Sequence, residues 1–194
     1  MMQENNSPLD HLELVYEMNR LFLSFLQDRA RRSFDCLGLP APIAARLRSA
    51  GDAQLDRAAG VPHALFRLDL EPVSAADAPL EYASSEAIAL YALQSSLLLS
   101  ARNLCRQNPH LAQTFLSLPA STLIRLRCLA LIEIATVART ARLCSAAFAN
   151  ELWLWHEVLD AESSGEQRRL RLIAMQPRVA DLGLPARAAG RQMR

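Results

Sequence analysis

Two stretches of the chain carry an apolar stripe at helical spacing. Leu14, Met18, Leu21 and Phe25 recur at steps of 4, 3 and 4, and Leu90, Leu93, Leu97, Ala101 and Leu104 at steps of 3, 4, 4 and 3. Side chains three or four apart share one face of a helix, so each stretch predicts a long amphipathic helix with the spacing of a helix seam. Ser84 or Ser85 can cap the second helix, Glu86 falls in its first turn, and Pro109 limits how far it continues unbent. Shorter helical patterns follow at about 41–50 and 53–60, separated by Gly51-Asp52, and again at about 120–129 and 131–142. Residues 64–70 alternate apolar and polar side chains and read as a short strand. Residues 71–83, with Pro72, Ser74 and Pro79 among small residues, read as a linker. Residues 151–160 form one further helix that Ser163-Ser164-Gly165 ends, and the Arg-, Ala- and Gly-rich tail from Pro177 is expected to be loose.

The pattern is repeated. Leu37-Gly38-Leu39-Pro40-Ala41 recurs 79 residues later as Leu116-Ser117-Leu118-Pro119-Ala120, and Arg46-Leu47-Arg48 recurs at the same shift as Arg125-Leu126-Arg127. Over the window 37–60, 8 of 24 positions are identical, in one register, which favours a true duplication. A shift of 80 places Gln27-Asp28 on Gln107-Asn108, as if one residue were inserted between the landmarks. The third pentapeptide, Leu182-Gly183-Leu184-Pro185-Ala186, has no long helix pattern around it and reads as coincidence or a remnant.

Composition narrows the class. Half of the 194 residues are hydrophobic, too many for a disordered chain. No apolar run approaches the roughly 18 residues of a membrane span. Residues 1–10 are polar and acidic, unlike a signal peptide, so a soluble cytoplasmic protein without a membrane partner is expected. Every cation is an arginine, and the net charge of +1 hides an asymmetry. Residues 1–82 hold 8 Arg against 12 Asp or Glu, and residues 83–194 hold 13 Arg against 8, so an acidic half precedes a basic one.

Candidate chemistry is sparse. Cys36, Cys105, Cys128 and Cys144 form no Cys-x-x-Cys pair and stand at no ligand spacing from a histidine, so no metal is expected and buried free thiols are the default. His11, His63, His110 and His156 are scattered, with no recognisable nucleophile and orienting carboxylate, and there is no Gly-rich phosphate loop. Neither catalysis nor a cofactor is expected. Arg29, Arg31 and Arg32 suit a helix C-terminus. Arg102, Arg106, Arg139 and Arg142, followed by Arg168, Arg169 and Arg171, make the second half the better candidate for contact with nucleic acid or a partner. Trp153 and Trp155 point to different sides of one helix, so one is expected in the core and the other is a candidate partner anchor.

Both copies resemble FlhD, the bacterial regulator of flagellar gene expression. Its core is a long helix ending near Gln-Asp, a Phe-x-Leu-Gly-Ile-like turn, two short helices and a Phe-Arg-Phe strand. The first copy shows Gln27-Asp28-Arg29-Ala30, Phe34, Leu37-Gly38-Leu39 and Phe66-Arg67-Leu68. The second shows Leu104, Gln107-Asn108, Leu116, Leu118, Leu126, Leu129, Leu131, Ile134, Val137-Ala138 and Leu143-Cys144. Residues 90–104 also resemble the last FlhD helix, so a tandem pair with merged helices and a single unit with a helical extension both stay open. The favoured reading is mainly α, with tandem FlhD-like units at 9–83 and 84–162 and a partly ordered tail at 163–194.

The resemblance implies a dimeric arrangement, here an intramolecular pseudo-dimer or a homodimer. It implies action through an FlhC-like partner on promoter DNA. It assigns the family's DNA-contact segment to Ser85, Ser95, Leu97 and Leu99, with Glu86 where the family has an arginine. A carboxylate there repels phosphate, which favours as an alternative a protein-binding adaptor or antagonist of the same system that does not touch DNA. The family's inter-subunit cysteine falls beside Cys144, the interface cysteine candidate.

Overall fold

The computed structural model describes residues 8–70, 84–140 and 143–160. The described elements run in two similar series. The first is α1 (Pro8–Arg31), α2 (Ala41–Ser49), α3 (Asp52–Ala59) and β1 (Phe66–Leu68). The second is α4 (Ser85–Gln107), α5 (Pro109–Phe115), α6 (Ala120–Cys128), α7 (Leu131–Val137) and β2 (Cys144–Ala146), followed by α8 (Leu152–Val158). The fold is mainly α, with one two-stranded sheet. No described helix is long and apolar enough to cross a membrane.

The repeated pentapeptides start α2 and α6. Pro40 (φ −62°, ψ 148°) and Pro119 (φ −58°, ψ 148°) sit just before the two helices in the extended conformation that proline favours. Two residues earlier, Gly38 (φ 88°) and Ser117 (φ 50°) both take the left-handed turn that brings the chain into the helix. Glycine does this without strain, whereas the serine pays a steric cost of about 1 kcal/mol. The shift of 79 residues maps α2 onto α6 from end to end.

The long helices follow a different register. Val15, Met18, Phe22, Leu23, Leu26 and Ala30 are buried in α1, and Leu90, Leu93, Leu97, Leu98, Ala101 and Cys105 are buried in α4, each 75 residues on. The stripe expected in α4 holds. In α1 the buried face is rotated from the expected one: Leu21 is exposed, and Leu14 and Phe25 are only partly buried. Val15, Met18, Phe22 and Leu26 also fall at helical steps of 3, 4 and 4, and it is this stripe, with the polar Asn19 among it, that is buried.

Polar groups repeat in this register too. The Asn19 amide donates to the carbonyls of Ala59 and Val61, and Gln94, with its amide turned to satisfy both atoms, donates to those of Ala138 and Thr140. Gln27 donates to Leu47 O and Ala50 O at the end of α2, and Arg102 donates to Leu129 O at the end of α6. Gln27 therefore corresponds to Arg102 and not to Gln107. The offset between the two registers is four residues, about one helical turn. It is taken up before α6, where Pro109 opens α5 and Asn108 caps it by accepting from Leu111 N. Pro109 thus redirects the chain into a helix instead of only ending one.

The halves face each other about a local two-fold axis. β1 and β2 are antiparallel with Phe66 opposite Ala146, Arg67 opposite Ser145 and Leu68 opposite Cys144. Two further bonds extend the pairing symmetrically, from Asp69 N to Leu143 O and from Ala147 N to Leu65 O, both 2.9 Å. α1 and α4 pack antiparallel: the end of α1 meets the start of α4 through the Arg29–Glu86 ion pair, and Asp10, His11 and Glu17 lie beside Ser100, Asn103 and Gln107. One continuous apolar core runs through both halves.

The helix expected to reach residue 142 stops at Val137, because the chain then turns into β2. α8 crosses back onto the first half. Arg46 Nη1 and His156 Nδ1 are 2.6 Å apart, and Gln54 donates to Leu159 O. Trp155 is fully buried, with its indole N–H donating to Ala147 O at 2.9 Å. The expected linker at 71–83 and the tail from 163 lie outside the described residues.

Candidate functional site

The contact segment inferred for DNA lies along α4 and is not one surface. Ser85 is exposed at its first position, but Leu97 faces fully into the core. Ser95 Oγ is buried without a hydrogen-bond partner among the described residues, while Leu99 is exposed. Leu97 is thereby corrected from contact candidate to core residue: it occupies the register of Phe22 in α1, and both are fully buried. Arg102 is corrected likewise. It is buried, and its Nε donates to Leu129 O at 2.6 Å, so its charge holds the end of α6. Arg106 is exposed at the other end of α4 from Ser85, roughly 30 Å away along the helix axis. Arg139 is exposed just beyond α7, and Arg142 lies outside the described residues.

Glu86 has a structural partner. Its carboxylate lies 2.5 Å from Arg29 Nη1, and Arg29 also donates to Asp35 O and lies over the rings of Phe25 and Phe34. The guanidinium so stacked and paired balances the carboxylate, and the pair ties the first half to the second.

Cys144 is the interface cysteine candidate. It lies in β2 opposite Leu68, at the contact between the halves but inside the core, where burial pushes its pKa up to about 12. Cys105 is pushed up to about 11 by burial, and Cys36 is also buried and raised. Cys128, at the end of α6, is the exposed thiol among the four. Of the two tryptophans, Trp155 fills the core, and Trp153 is 54% exposed beside exposed Leu152, so Trp153 is the one placed to meet a partner.

A second surface was not read as such from the sequence, where Leu131 counts only among the apolar positions of the FlhD-like pattern. Ile124, Leu131 and Ile132 are large and exposed, Ile132 by 83%, where α6 gives way to α7. Beside Ile124 runs a groove lined also by Arg106, Arg127 and Cys128. Helical spacing alone reads these residues as core. The signal that separates them is the duplication itself, since the shift of 79 puts Ala45, Ser49, Asp52 and Ala53 at the places of Ile124, Cys128, Leu131 and Ile132.

Among the described residues no group of three or more His, Cys, Asp or Glu side chains could hold a metal ion. His63 is buried, its pKa lowered by desolvation and partly restored by its contact with Thr114 O, and it packs edge-on to Phe115. That places it as a packing residue between the halves. Comparisons with family models, with curated proteins and with solved structures return no match.

Proposed function

We propose that the chain is an FlhD-type transcription regulator of motility genes, a covalent pseudo-dimer that acts in the cytoplasm through an FlhC-like partner on promoter DNA. The observation that carries this reading is the two-fold arrangement of the halves, with β1 paired to β2 and α1 packed antiparallel to α4. The FlhD resemblance implies a dimeric arrangement, which two joined halves would supply within one chain. Joining them in one chain replaces a bimolecular association with a high effective concentration and lets the copies diverge. Divergence is visible in the swap of Asn19 for Gln94 and Gln27 for Arg102 at matched places.

A second reading is a helical adaptor or antagonist of the FlhD–FlhC system that binds protein and not DNA. The burial of Leu97 and the engagement of Arg102 and Glu86 favour it, because they leave the inferred DNA segment with few free groups. A mobility-shift assay with promoter DNA and the FlhC-type protein of the same cell separates the two. The regulator reading expects a ternary complex that weakens steeply with salt, together with a fall in flagellar transcripts on deletion of the gene. Unchanged transcripts and no binding to the FlhC-type protein would overturn both readings.

A further inference from the structure

The two halves build the same pair of short helices with different surfaces, and the difference isolates what the fold does not need. Ala45, Ser49, Asp52 and Ala53 suffice in the first half. At the matched positions the second half carries Ile124, Cys128, Leu131 and Ile132, and the three large apolar side chains stay exposed. Large apolar side chains left exposed where small or polar ones suffice add nothing to the fold and point to contact with a partner.

Charge says what fits. In the first half Arg46 is held against His156 and Arg48 donates to Ala30 O. Their counterparts Arg125 and Arg127 are exposed, as is Arg106 across the groove, and none of the three is in an ion pair among the described residues. The nearby carboxylate Glu133 is turned back to accept from Ala130 N at 2.7 Å. Ile124, Arg106 and Arg127 thus line one groove, and exposed Arg125, Leu131 and Ile132 follow on α6 and in the first turn of α7.

We infer that the α6–α7 face of the second half is a docking site for an acidic amphipathic helix of another protein. Two or three apolar side chains of that helix pack on Ile124, Leu131 and Ile132, and its carboxylates meet Arg106, Arg125 and Arg127. This is the helix-in-groove mode of recognition, with spacing i, i+3, i+4, i+7 for the anchors. The inference does not rest on the regulatory reading, and its test uses neither DNA nor an FlhC-type protein.

The probe is a synthetic helix with leucine at the anchor positions and glutamate on the flanks, set against the same peptide with lysine for glutamate. The full chain is titrated with each peptide by fluorescence anisotropy, while the modification rate of Cys128 reports occupancy of the groove. The variant carries Ile124→Ala, Leu131→Asp and Ile132→Ala, the residues the first half already uses at these places, so its fold is retained. The expected result is saturable binding of the glutamate peptide with slowed Cys128 modification. Affinity should fall about tenfold or more in the variant, as when central interface anchors are truncated. Binding of the lysine peptide as tight as the glutamate one overturns the inference, as does binding unaffected by the triple substitution. Self-association through the patch, seen by light scattering and abolished in the variant, would also overturn it by giving the face to a second copy of this chain.

Discussion

Asn19 offers the sharpest test of how the halves are built. It is fully buried in α1, and its amide nitrogen donates to Ala59 O, Val61 O and His63 O at 3.3, 3.2 and 2.9 Å. Its Oδ1 accepts from Leu65 N at 2.8 Å. One side chain thus satisfies four backbone groups where α3 gives way to β1, a segment with no regular structure to do so. In Asn19→Ala the buried Leu65 N–H loses its acceptor, at a cost of about 1–3 kcal/mol. The carbonyls lose a donor, and the missing amide leaves a small cavity that adds to this. A total loss of about 3 kcal/mol follows, or a fall in Tm of about 6–12 °C for a chain of this size. Asn19→Leu fills the volume without restoring the bonds and should recover only the cavity part. The assay is urea unfolding of the full chain, read as a lower midpoint at unchanged slope. A loss below about 0.5 kcal/mol in Asn19→Ala, the level of a neutral surface change, would refute the claim that this side chain organises the turn.

Further expectations follow from the same geometry. With native protein at pH 8, mass spectrometry should show one thiol alkylated quickly, at Cys128, while Cys36, Cys105 and Cys144 react only on unfolding, since burial raises the last two to about 11 and about 12. Arg29→Ala should destabilise the chain more than Glu86→Gln, by about 1–3 kcal/mol against about 1 kcal/mol or less, because the arginine also holds Asp35 O and two aromatic faces; equal denaturation midpoints for the two variants would contradict this. Burial lowers the His63 pKa in the folded state, so the unfolded chain binds its proton first and stability falls as pH drops through about 6.5. His63→Gln should flatten the slope of stability between about pH 7 and pH 5, and an unaltered slope would remove His63 from that account.

Much of this architecture is legible in the sequence where apolar spacing and turn chemistry act locally. The Leu-x-Leu-Pro-Ala repeats mark the starts of α2 and α6, and the α4 stripe is buried as written. The alternation at 64–70 contains β1. What stays hidden depends on tertiary context. β2 has no alternating pattern of bulky residues: it is Cys144, Ser145 and Ala146, and it is a strand because β1 offers it an edge. The correspondence of Gln27 with Arg102 is invisible to residue identity, because an amide and a guanidinium do the same work on the same helix end. The exposure of Ile124, Leu131 and Ile132 is hidden for the opposite reason, since each is of the type that usually goes inside. Only the comparison of one half with the other reveals them as surplus.

The most direct test of the regulatory pseudo-dimer is the mass of the complex formed with the FlhC-type protein of the same cell, measured by sizing with light scattering. The account predicts a stable complex in which one copy of this chain fills the place of an FlhD dimer. Failure to form any complex, or a complex that requires two copies of this chain for each such place, would contradict it.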